Sequence, residues 1–162
     1  MERSYAHFLD FAFGADAAGS GGALDAMTAR NYGYLVRHCK ERGCEFIGHG
    51  ISASRMITSR MSEQEETDYI AESIAALREA IGEPPLGWAG AEYGESARTP
   101  QLLARAGIRY VCDWANDDLP FPMKTRSGTI HAMPFAQETD DRTVMLEFHH
   151  TEDDWLRQVK DR

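Results

Sequence analysis

Between residues 63 and 81 apolar side chains recur every three or four positions, at Tyr69, Ile70, Ile74, Leu77 and Ile81. That period places all five on one face of a helix. Ser62 and Glu65 have the spacing of a reciprocal cap at its start, and Gly82 supplies the left-handed conformation that stops it. The polar run EQEETD at its beginning reads as solvated surface. Upstream, Thr28 reads as the cap of a helix carrying Tyr32, Leu35, Val36 and Cys39 at helical period and ending at Gly43. Downstream, Thr99 before Pro100 marks another start, with the hydroxyl as cap and proline at the first helical position; Gly107 ends the short helix QLLARA. Thr151 opens a further helix, EDDWLRQVKDR, with few apolar positions.

Short apolar runs fall between these helices. CEFIG follows the first helix, LGW follows Pro84 and Pro85, IRYVC follows Gly107, and GTIHAMPF adds a fourth candidate strand. Helix, glycine, short buried strand and polar loop therefore repeat about three times. That order predicts an α/β fold with parallel strands and flanking helices rather than hairpins. A closed eight-unit barrel takes about 250 residues, so 162 residues hold too few units to close one and predict an open sheet or a piece of something larger. The glycine- and alanine-rich GADAAGSGGA, 14 to 23, reads as a loop, which divides a poorly specified segment 1–23 from a domain at 24–162.

Composition narrows the function. With 43% hydrophobic residues the chain can bury a core. Its net charge of −9 repels phosphate backbones and anionic lipid, so neither nucleic acid nor a membrane surface is an expected partner. No apolar run reaches the roughly 18 to 20 residues of a spanning helix. Cys39, Cys44 and Cys112 lack metal-type spacing and are odd in number, which predicts free thiols in a reducing, cytoplasmic compartment.

In parallel α/β structures the carboxyl ends of the strands share a rim where ligands bind. Three loops are expected to meet there. The first brings His49, set between two glycines; the second, WAGAEYGES, brings Trp88, Glu92, Tyr93 and Glu95; the third, DWANDDLP, brings Asp113, Trp114, Asn116, Asp117 and Asp118. Histidine and carboxylates in a concave site can move protons, and the aromatic rings can wall a substrate. Each has a plainer reading: a packing histidine, an Asn/Asp turn before proline, and core tryptophans. His149 and His150, being adjacent, point apart and make a poor chelate.

GCEFIGHG, MSEQEETDYIAESIAALREAIGEPPLGWAG and TPQLLARAGIRYVCDWANDDLPF, in that order, resemble the polysaccharide deacetylase (NodB homology) family over residues 24 to 140. The likeness is to the carbohydrate esterase family 4 type, especially its allantoinase-like and cyclic-imidase-like branch. The resemblance implies a distorted β/α barrel, partial or open in this chain, that hydrolyses carbon–nitrogen bonds, commonly N-acetyl groups on sugars. It also implies a divalent metal such as zinc, held by one aspartate and two histidines. His49 matches the first histidine of the family's His-x-x-x-His motif, but Ala53 stands where the second would be. The family's Thr-Phe-Asp-Asp-Gly motif and its Leu-x-His motif are absent, and the loop around Glu92 and Tyr93 replaces its Arg-Pro-Tyr type motif. Arg55 and Arg60, if directed inward, would repel a dication.

Two explanations of the missing motifs stay open: a metal-independent sub-branch, or the middle of a longer protein. The resulting expectation is a hydrolase of non-peptide amide bonds acting on an N-acetylated carbohydrate or a cyclic ureide or imide. His49 would orient the amide or bind a metal, Asp117 or Glu92 would manage a water's proton, and Trp88, Tyr93, Asp113, Trp114 and Asn116 would contact substrate. The alternative is a noncatalytic truncated barrel that associates with a second copy.

Overall fold

The computed structural model describes residues 21–114, 116–117, 119–133 and 142–161. The elements run β1 (Gly21–Leu24), α1 (Ala26–Asn31), α2 (Gly33–Glu41), β2 (Glu45–Gly48), α3 (Glu63–Ile81), β3 (Gly87–Trp88), α4 (Thr99–Arg105), β4 (Tyr110–Val111), β5 (Phe121–Thr125), β6 (Gly128–Ala132) and α5 (Glu152–Asp161). A single π-type turn, Arg142–Glu147, precedes α5. The strands form one six-stranded sheet in the order β1-β2-β3-β4-β6-β5. Every neighbouring pair is parallel except the hairpin β5–β6. This is an α/β fold with a parallel sheet and flanking helices, as the repeat of helix and strand predicts.

Helix α3 carries most of that prediction. Ser62 and Glu65 cap it reciprocally and Gly82 closes it in the left-handed conformation. Its inner face buries Tyr69, Ile70, Ser73, Ala76, Leu77 and Ile81. Ile70, with Trp88, Leu103, Val111 and Ile130, belongs to the larger apolar cluster, while Leu77 and Ile81 join Leu24, Ala29 and Val36 in a second. Because α3 touches both clusters, it ties the two ends of the sheet together. Thr151 and Asp154 cap α5 in the same reciprocal manner.

Several local expectations are corrected. The helix expected from Thr28 is two helices meeting at Tyr32, and Asp25, not Thr28, caps the first by accepting the Thr28 backbone N–H at 2.8 Å. Thr99 begins α4 but does not cap it: its hydroxyl is donated to the buried carboxylate of Glu66, a stronger acceptor than any group on its own helix. Strand β1, Gly21–Leu24, begins inside the stretch read as loop up to residue 23. The hairpin is a further correction to the all-parallel reading. Pro122 on β5 suits an edge strand, where a missing N–H costs no ladder bond.

Candidate active site

The carboxyl ends of β2, β3 and β4 lie side by side, so the residues following them are neighbours. His49 follows Gly48, Ala89 and Gly90 follow Trp88, and Asp113 lies two residues beyond Val111. The ladder continues through these positions, with the Ala89 N–H reaching the Gly48 carbonyl at 2.8 Å and the Cys112 N–H reaching that of Trp88 at 2.8 Å.

The glycines around His49 answer to two close approaches. A Cβ on Gly48 would stand 2.6 Å from the Trp88 ring. Gly50 has φ +82, and a Cβ there would fall 2.1 Å from the Tyr69 hydroxyl oxygen. That hydroxyl accepts the Ile51 N–H at 3.1 Å and donates to the Arg55 carbonyl, and Ser73 Oγ donates to the Gly50 carbonyl at 2.9 Å. Helix α3 thus holds the turn that carries the imidazole. His49 Nδ1 lies 2.7 Å from the Ala89 carbonyl oxygen. A carbonyl can only accept, so Nδ1 bears the proton and the neutral ring keeps its lone pair on Nε2.

The next residue, Gly90, donates its N–H to both oxygens of Asp113, at 2.8 and 2.9 Å. His49 and Asp113 are therefore bound to consecutive residues of one loop, and an imidazolium formed at His49 favours the ionised aspartate. Beside Asp113 stands Glu95, on the wall of the same pocket. Glu95 Oε2 accepts the indole N–H of Trp114 at 2.7 Å, whereas Oε1 is buried without a donor. Burial first, then the adjoining Asp113 carboxyl, push Glu95 up to about 9 from an ordinary value of 4.5. Burial also raises Asp113, against the bond from Gly90. Tyr93, Glu95, Ser96, Ala97, Asp113 and Trp114 line an open pocket of about 420 Å³.

Of the residues expected at the rim, Tyr93, Asp113 and Trp114 line this pocket, and His49 adjoins it through the Ala89–Gly90 segment. Trp88 does not present a face to it. The indole is wholly buried in the main core cluster, because both sides of a central parallel strand are covered. Glu92 and Asn116 are exposed, as is Asp117, and none of the three lines the pocket. Asp118 lies outside the described residues. Glu92 and Tyr93 adopt left-handed backbone, φ 51 and 56, which turns Glu92 outward and brings the chain back toward Glu95.

Sequence reasoning placed Glu95 in the right loop without giving it a role, and it missed Glu66 altogether. Glu66 is fully buried, not solvated, and receives hydrogen bonds from Ser96 Oγ at 2.8 Å, from Thr99 Oγ1, and from Arg98 Nη2 at 3.3 Å. A signal existed. Glu66 precedes Ile70, Ser73, Leu77 and Ile81 at helical steps of four, three, four and four, in line with the apolar stripe.

The metal set implied by the resemblance is not matched by the described residues. His49 offers Nε2, but Ala53 has no side-chain donor atom, and among the described residues no three His, Cys, Asp or Glu side chains are grouped to hold an ion. Arg55 is exposed and lies over the Tyr69 ring, and Arg60 is exposed. Cys39, Cys44 and Cys112 are free thiols, and no helix of the described residues is long and apolar enough to cross a membrane.

Comparison with known proteins agrees with the fold. The chain is similar over 98% of its length to PuuE allantoinase, with 26% identity and a TM-score of 0.75. It is similar over 96% of its length to a probable polysaccharide deacetylase from Pseudomonas aeruginosa PAO1, with 23% identity and a TM-score of 0.76. In both cases it spans 52% of the other chain, about half. A carbohydrate esterase family 4 pseudoenzyme from Bacillus anthracis shares the fold over 67% of this chain and 37% of its own, at 8% identity and a TM-score of 0.53. No curated protein matches the sequence. The polysaccharide deacetylase family pattern matches residues 22–111, more than half of the chain, and the chain belongs to that family.

Proposed function

We propose that this protein hydrolyses a non-peptide carbon–nitrogen bond, in an N-acetylated carbohydrate or in a cyclic ureide or imide. The observation that carries the reading is the meeting of His49, Asp113 and a pocket walled by Tyr93 and Trp114 on the carboxyl rim of the parallel sheet. Family membership and the likeness to an allantoinase support the same bond type. In this reading the His49 Nε2 lone pair takes a proton from water, Gly90 holds Asp113 in its ionised form, and Trp114 and Tyr93 lie flat against the ligand. Asp117, Asn116 and Glu92, exposed on the loops that follow β3 and β4, are assigned to substrate recognition. The three free thiols support a cytoplasmic setting.

The test is hydrolysis of two probes, allantoin and a chitin oligosaccharide, by the purified chain, with His49→Ala alongside. Turnover of either probe, reduced about 10²-fold or more in the variant, is the expected result. Turnover of neither overturns the proposal. A second reading, a noncatalytic module that pairs with another copy, is favoured by one observation: β1 lies at the edge of the sheet, with one side of its ladder unpaired by any described strand. A dimer in sedimentation, with neither probe hydrolysed, would decide for that reading.

A further inference from the structure

Glu95 and Asp113, from the loops after β3 and β4, line the same pocket, and their charges act on one another. Two ionised carboxylates so placed repel, and one proton held between them relieves that repulsion. Among the described residues no lysine or arginine pairs with either acid. A further acid, Glu66 on α3, adds repulsion, and its arginine partner Arg98 is engaged with it at 3.3 Å.

The hydrogen bonds say which carboxyl holds the proton. Asp113 receives the Gly90 N–H at both oxygens, a pattern that stabilises the ionised form. Glu95 receives a single donor, Trp114 Nε1, at Oε2. Its Oε1 is buried with no donor, which would leave an orphaned acceptor on a carboxylate but a satisfied hydroxyl on the acid. Glu95 also lines the pocket, so a ligand seated between Tyr93 and Trp114 touches it.

Building on the hydrolase reading above, we infer that Glu95 is the acid of this site, holding the proton shared with Asp113 and delivering it to the leaving nitrogen of the scissile amide. Water adds its oxygen to the carbonyl carbon and gives one proton to His49 Nε2. The carbon–nitrogen electron pair then moves to nitrogen as the Glu95 proton arrives. Amide and water become carboxylic acid and amine, and the proton held by His49 returns Glu95 to its acid form, so no proton is gained or lost overall. Burial and the adjoining aspartate keep Glu95 protonated at neutral pH, and the indole fixes its orientation.

The acid can be read without substrate. Infrared difference spectra of the unliganded chain at neutral pH, wild type against E95Q, should contain a protonated-carboxyl carbonyl band that shifts in deuterium oxide and is missing from the variant. In D113N, which removes the neighbouring negative charge, the same band should titrate away at lower pH. The kinetic arm compares allantoin, whose leaving nitrogen needs a proton, with p-nitrophenyl acetate, whose leaving phenolate does not. E95Q should lose about 10²- to 10⁴-fold on the first and less than about tenfold on the second. Equal losses on both probes, or no carboxyl band at neutral pH beside full amide hydrolysis, would overturn the role of Glu95 alone. A wild-type chain with the band but without turnover of either probe would overturn the hydrolase reading, and the acid role with it.

Discussion

Two glutamates twenty-nine residues apart show how one chain treats a buried acid in two ways. Glu66, beneath the loop that opens α4, is fully enclosed and receives Ser96, Thr99 and Arg98, so its charge is met by hydroxyls and a guanidinium. Glu95, one residue before Ser96, has an indole on one oxygen, no donor on the other, and a second carboxyl beside it. The first arrangement consumes every lone pair it can and leaves nothing for a ligand. The second leaves an acid unpaired by any described cation at the wall of an open pocket. Ser96 links the two, since its hydroxyl is donated to Glu66, so the paired acid positions the unpaired one.

That contrast can be broken at several points. Glu66→Ala leaves an arginine and two hydroxyls without their acceptor and should cost ~3–5 kcal/mol, read from the urea midpoint; a loss below ~1 kcal/mol would mean the network is ornamental. Gly50→Ala, which forces a Cβ against the Tyr69 hydroxyl at φ +82, should cost ~2–4 kcal/mol in the same measurement. Tyr69→Phe removes the acceptor of the Ile51 N–H and should cost ~1–2 kcal/mol.

The pH dependence separates the two acids directly. Below pH 4.5 Glu95 is protonated in both the folded and the unfolded chain. Above it the unfolded chain ionises while folded Glu95 keeps its proton up to about pH 9, so its contribution to stability declines as pH rises through that interval. Thermal melts of E95Q should lack this decline, and identical wild-type and E95Q slopes would show that the proton is not held there. The smallest effect belongs to exposed Glu92. Glu92→Gln should leave stability within ~0.5 kcal/mol of wild type and the pH slope unchanged.

The parts of the fold legible in the sequence are those governed by local rules. The capping box at Ser62 and Glu65, the glycine stops at Gly43, Gly82 and Gly107, and the apolar stripe of α3 each require only neighbours within a helical turn or two. The hairpin β5–β6 was not legible: GTIHAMPF marked β6, but the edge strand β5 carries Pro122 and alternates half-buried with exposed positions in place of a buried, β-branched run. The candidate site was legible as a rim and not as a set of partners. Trp88 and Glu92 share the loop region of Glu95, yet one is enclosed by the sheet and the other turned out by a left-handed residue.

By itself the sequence determined the periods, the caps and the order of helix and strand, since these follow from backbone geometry along consecutive residues. It thereby placed His49 and Asp113 just past the ends of β2 and β4. Only the tertiary structure decided that Glu66 is sealed and satisfied while Glu95 faces another carboxyl. Burial, and the distance between charges from separate loops, set the energy of a carboxylate, and neither is a property of local spacing.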